Sequence, residues 1–180
     1  MAWACNQEMA DRSFLVNTQR TQHPILRKNT KGNNVLADSL KILLATEEAF
    51  AIKAKQFHWN VEGPDFGQLH AFFDAIHDDV YGATDPTAEY IRALGDYAPG
   101  SFERFEELST IRGQTKIPRA RLMLEELLAN NGQMLELLNK TFEVATQENQ
   151  QGIANFIAER IDAHQKHGWM LRSYLKEERA

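Results

Sequence analysis

FHWNVEGPDFGQLHAFFDAIH, residues 57–77, carries three of the chain's six histidines and two of its aspartates around a Gly63-Pro64 turn. Upstream of that turn Val35, Leu36, Leu40, Leu43, Leu44, Glu47, Phe50 and Ala54 recur at intervals of three and four. This spacing predicts a helix capped by Asn34 and running to about Asn60, where Gly63-Pro64 stops it. A second helix is expected from near Asp65, ending by Gly95 or Pro99. The two histidines His58 and His70 therefore sit on different helices, brought together by one tight connection.

Farther along, Ser101 can cap a short segment over about Phe102–Leu108. Pro118 suits the first position of a third long helix reaching about Gln147. Inside it Gly132 weakens the helix by about 1 kcal/mol relative to alanine, so it is expected to mark a close packing contact. A fourth long helix covers about 150–177, with Ile153, Phe156, Ile157, Ile161, Met170, Leu171, Tyr174 and Leu175 on its inward stripe. The expected class is all-α: a four-helix bundle with a short extra helix in the long middle connection. Such a connection is needed when the second and third long helices run in the same direction.

At 180 residues the chain suits one domain with a tail. The sole cysteine, Cys5, excludes an intrachain disulfide and a cysteine-based zinc site. No apolar run approaches the roughly 20 residues of a membrane span. The start, MAWACNQEMADRS, lacks a signal pattern, so a cytoplasmic, nucleoid-associated location and no membrane partner are expected. Net charge is −5, which does not mark the whole molecule as a nucleic-acid binder. Residues 1–33 read as an extended N-terminal tail, with 34–180 forming the bundle. Five basic residues against two acidic ones give the tail +3, leaving −8 for the rest. That is the sign of a basic arm on an acidic body.

His70 and Asp74 share one face of the second helix, as do Asp85 and Glu89. With His70 at zero, Asp74, Asp85 and Glu89 fall near 40°, 60° and 100° at about 100° per residue. His70 and Asp85 are nonetheless about 22 Å apart along the axis at 1.5 Å per residue. One chain cannot bring both pairs to one ion. An antiparallel second copy can: the register that sets His70 against Glu89 of the partner also sets Asp74 against Asp85 of the partner. A two-fold axis then builds two equivalent sites, each joined by His58 across the turn. Two imidazoles and up to three carboxylates suit iron or manganese better than structural zinc.

KQFHWNVEGPDFGQLHAFFD, DPTAEYIRALG, PGSF and HQKHGWMLRSYL together resemble the Dps family (DNA-binding proteins from starved cells), small ferritin-like iron-storage proteins. The resemblance spans roughly residues 35–178. It implies a ferritin-like bundle assembled as a hollow homo-oligomeric shell of twelve subunits. It further implies ferroxidase centres between two-fold-related subunits, with iron (Fe2+/Fe3+) as the metal and a stored ferric mineral. On this resemblance His58, His70 and Asp74 match the ligands of one subunit, Asp85 and Glu89 match those of the other, and Trp59 matches the tryptophan beside the centre. The enzyme implied is a ferroxidase oxidising Fe(II) with hydrogen peroxide or oxygen and so protecting DNA. One departure stands out. The family usually has Ile-Ala-Glu-Arg after the aspartate, whereas here Pro86-Thr87-Ala88-Glu89 follows Asp85. A proline costs about 3 kcal/mol in a straight helix, so a bend or restart at Thr84 or Asp85 is expected, with Asp85 as an N-cap.

Plainer readings compete. A single histidine is usually a packed residue, and only the spacing together with the signature favours metal. Trp59 reads first as an interface or core residue, and His77 as structural. The His164/His167 pair reads as solvated or core-edge, and Glu143 and Glu148 as a solvated face more than an iron pore. The alternative function is a DNA-compacting shell using its basic N-terminal tails, with weak or lost ferroxidase activity.

Overall fold

The computed structural model describes residues 34–176, five helices with no strand among them. The expected tail, residues 1–33, lies outside the described residues. Helix α1 spans Val35–Asn60, and the Asn34 side chain accepts from the Ala37 N–H at 3.1 Å, as a cap should. It ends where Val61 turns extended, and Gly63 at φ +114° makes the bend that other residues rarely adopt. Helix α2 spans Phe66–Ala93, α3 Phe102–Leu108, α4 Ala120–Gln147 and α5 Gln151–Tyr174. Ser101 caps α3 by accepting from the Arg104 N–H. Between α4 and α5, Asn149 takes the left-handed conformation at φ 56°, which asparagine tolerates well.

Three expectations are corrected here. Helix α4 begins at Ala120, not Pro118, because Arg119 stays extended at ψ 155°. Helix α5 stops at Tyr174, short of residue 177. Helix α2 neither breaks nor restarts at Pro86, so Asp85 is not an N-cap. The missing Pro86 N–H frees the Gly82 carbonyl, and Gly82 is exposed, so water can satisfy it. On either side the Thr84 hydroxyl donates to Tyr81 O at 2.8 Å and the Thr87 hydroxyl to Ala83 O at 2.9 Å.

Pairings between helices fix the topology. His58 meets His70 and Ala51 meets His77, so α1 and α2 are antiparallel. Phe72 packs on Tyr174 and Tyr90 on Phe156, so α5 opposes α2. Asn131 meets His164 and only residues 148–150 separate the two helices, so α4 opposes α5, while Lys53 reaches Glu126 and Asn130, so α4 packs on α1. Helices α2 and α4 thus run in the same direction, as the long connection requires. Phe50, Phe57, Phe73, Leu127, Met134, Leu138 and Ile157 fill the interior. Burying side chains of this size contributes about 1.5–3 kcal/mol each.

The close packing expected at Gly132 is not there. A Cβ at Gly132 meets nothing within 4 Å, whereas one at Gly168 would lie 2.9 Å from Asn131 Nδ2. That nitrogen is held by its bond to His164 O, so it cannot yield cheaply. Gly132→Ala is therefore expected to stabilise the bundle by about 1 kcal/mol. Gly168→Ala is expected to destabilise it by about 1–3 kcal/mol through overpacking. Thermal unfolding of the two variants checks the opposite signs.

Candidate metal centre

His58 lies in the last turn of α1, where helix geometry leaves carbonyls without intrahelical donors. Its free carbonyl accepts from His70 Nδ1 at 2.8 Å, while His58 Nδ1 donates to His70 O, also at 2.8 Å. The two rings stack with centroids 3.7 Å apart. A carbonyl can only accept, so both Nδ1 atoms carry a proton, and Nε2 is the nitrogen that each ring has left to offer a metal. A backbone carbonyl on Nδ1 is the arrangement that orients a metal-binding imidazole. Phe66 closes the far side of His70, with ring centroids 5.0 Å apart.

Asp74 completes the group. Its Oδ1 lies 3.7 Å from His58 Nε2 and 2.5 Å from Lys55 Nζ. The Lys55 hydrogen bond holds the Asp74 carboxyl below the usual carboxylate range, against the opposing effect of desolvation. Lys55 thus places an ammonium where a cation would meet this carboxylate. It escaped the sequence reading, although its position three residues before His58 puts it on the same helix face.

The remaining expected ligands are not brought to this point within one chain. Asp85 and Glu89 are exposed, beginning about 16 Å farther along α2 at 1.5 Å per residue. Among the described residues of the single chain, no group of three or more His, Cys, Asp or Glu side chains is arranged to hold a metal ion. Trp59, beside His58, is 69% exposed and so is not a core residue of the subunit. His77 donates from Nδ1 to Ala51 O at 3.0 Å and stacks on Tyr81, a structural role. Glu143 and Glu148 are exposed. His164 and His167 are buried, not solvated: His164 Nδ1 pairs with Asn131 Oδ1 at 2.8 Å, and burial pushes its pKa down to about 3. No described helix is long and apolar enough to cross a membrane.

Residues 37–180 match the family model of the ferritin-like domain. A low temperature-induced protein of Nostoc sp. (strain PCC 7120) is 32% identical over 146 residues, covering 80% of this chain and 77% of the relative. DNA protection during starvation protein 2 of Bacillus anthracis is 27% identical, over 81% of this chain and 99% of the relative. The crystal structure of Dps from Vibrio cholerae, described as a member of a broad superfamily of ferritin-like diiron-carboxylate proteins, superposes with a TM-score of 0.76. It is 28% identical, over 79% of this chain and 89% of that one. Dps from Staphylococcus aureus gives a TM-score of 0.77 at 27% identity, over 79% and 96% of the two chains.

Proposed function

Because the chain belongs to the Dps family of ferritin-like proteins, we propose that it oxidises Fe(II) at centres shared between two-fold-related subunits and stores the ferric product inside a hollow shell of twelve copies. The observation that carries this reading is the His58–His70 pair with Asp74, a half-site with both Nε2 atoms left for a metal. Asp85 and Glu89, on the same face of α2 and exposed, are the complementary half for a second copy. Iron is the substrate. The imidazoles supply neutral donors, the carboxylates offset the growing charge as Fe(II) becomes Fe(III), and Trp59 flanks the centre. Two ferrous ions give one electron each to a peroxide, which takes up two protons and leaves as two waters. Consuming peroxide together with Fe(II) removes the reactants that generate hydroxyl radicals, and this is how the protein would protect DNA.

Lys55 gives the half-site a resting state. In the isolated arrangement its ammonium neutralises Asp74, and an arriving Fe(II) must displace it. The native mass of the purified protein tests the reading directly. An assembly of about twelve copies is expected, and a monomer retaining full iron oxidation would overturn it.

A second role rests on the names of relatives and on the tail. The name of a Nostoc relative, 26% identical over 58% of this chain, describes a nutrient stress-induced DNA-binding protein. A +3 tail repeated over many copies would give salt-sensitive avidity for phosphate. Deleting residues 1–33 is expected to abolish any gel shift at low salt.

A further inference from the structure

The bundle interior holds a second polar cluster that plays no part in the iron site. Glu47 of α1 is 1% exposed, and Thr87 of α2, Asn131 of α4 and His164 of α5 are buried around the same level. Arg160 of α5 grips Asp79 of α2 with both terminal nitrogens, Nη1 to Oδ1 at 3.2 Å and Nη2 to Oδ2 at 2.5 Å. His167 Nε2 lies 3.4 Å from the same Asp79 Oδ2. Among the described residues, three buried atoms here have no hydrogen-bonding partner: Glu47 Oε2, Arg160 Nε and His167 Nδ1. Buried polar atoms are nearly always satisfied by protein or by ordered water, so three orphans in one interior point to a bound ligand.

The charges limit what that ligand can be. Arg160 and Asp79 neutralise one another. Burial pushes Glu47 up to about 8, against the Arg160 charge that favours its ionised form, so at neutral pH it is a neutral acid. The neighbouring Glu48 carboxylate acts in the same direction as burial. Both buried histidines are held neutral by desolvation. With no net charge to compensate, neither an anion nor a cation is called for, and the Arg160 guanidinium already fills the place of a positive ion. Ferritin-like di-iron proteins direct carboxylates and Glu-x-x-His pairs into this part of the bundle. Here an arginine closes it to metal. The hydrogen-bonding inventory instead asks for water. A Glu47 O–H and the Arg160 Nε–H both need an acceptor. With its Nε2 proton directed to Asp79, His167 leaves Nδ1 in need of a donor.

We propose that the interior of the bundle binds ordered water between Glu47, Arg160 and His167, forming a hydrated proton-exchange site that reaches solvent at Asp79. Asp79 is the exit because its side chain is 38% exposed, whereas those of Arg160 and His167 are only 12% and 11% exposed. Protons move to and from Glu47 through the water, and Arg160 stays charged throughout. The inference is independent of iron oxidation and survives if that reading fails.

Infrared spectra of the assembled, metal-free protein test it, alongside a crystal structure fine enough to show water. A protonated-carboxyl band is expected at pH 7, losing half its intensity near pH 8, absent in Glu47→Gln and retained in Glu48→Gln. The band should shift in deuterated water without prior unfolding, and density for water should contact Glu47 Oε2 and Arg160 Nε. A band that resists deuteration, no band lost in Glu47→Gln, or a direct Glu47–Arg160 contact with no water between them would overturn the proposal. Anomalous density for a metal at this level would do the same.

Discussion

Replacing both His58 and His70 with alanine is expected to slow Fe(II) oxidation by about tenfold or more, since even the residues that support metal ligands are worth 10–100-fold. Retention of more than half the rate would remove the proposed centre. The double variant also deletes the two reciprocal 2.8 Å bonds that tie α1 to α2, so loss of activity alone could reflect loosening of that hairpin. A mixing experiment separates the two. In an assembly of His70→Ala copies, or of Glu89→Ala copies, each shared site lacks a ligand. In a mixed pair the two defects fall on one site and leave the other whole. Co-assembly of the two inactive variants is therefore expected to restore activity, which no site confined to a single subunit could do. Lack of recovery in confirmed mixed shells would count against the two-fold register itself.

A large effect on stability is expected from Glu47. Its folded pKa is pushed up to about 8 from an ordinary value of 4.5. Between those values the folded state holds a proton that the unfolded chain releases, so stability is fully present below about pH 4.5 and falls until about pH 8. The change is on the order of 5 kcal/mol per subunit, at about 1.4 kcal/mol per pH unit. His164 acts in the opposite sense. Its folded pKa near 3, against 6.5, means that the unfolded chain binds the extra proton, and stability falls as pH drops from 6.5 towards 3. The two slopes oppose one another between pH 4.5 and 6.5, giving a plateau there with a decline on either side. Denaturant midpoints across this range check the shape. Glu47→Gln is expected to flatten the alkaline decline and leave the acid one.

Local sequence carried much of the architecture. Apolar spacing, the Asn34 and Ser101 caps and the Gly63-Pro64 stop give helix number, order and approximate ends, because each depends on residues within a few positions of one another. The common face of His70, Asp74, Asp85 and Glu89 follows from the helical repeat alone, and the proposal that a second copy joins its two ends rests on the same repeat. The errors came where distant residues decide. Pro86 suggested a bend or restart because its local cost is real, but α2 runs through it without restarting, and the Gly82 carbonyl that it frees lies on an exposed residue. The glycine that matters to packing is Gly168, because Asn131 of another helix lies over it, and nothing near Gly132 in sequence or space needs its missing side chain.

What the sequence by itself determined, then, is the set of helices and which residues share a face, both properties of a 3.6-residue repeat. Only the tertiary structure decided what those faces meet: Lys55 on Asp74, the carbonyl that orients each imidazole, and the buried company of Glu47. The physical reason is that hydrogen bonding and desolvation depend on neighbours a few ångströms away in space. In this bundle those neighbours lie as far apart in the chain as Asp79 and Arg160.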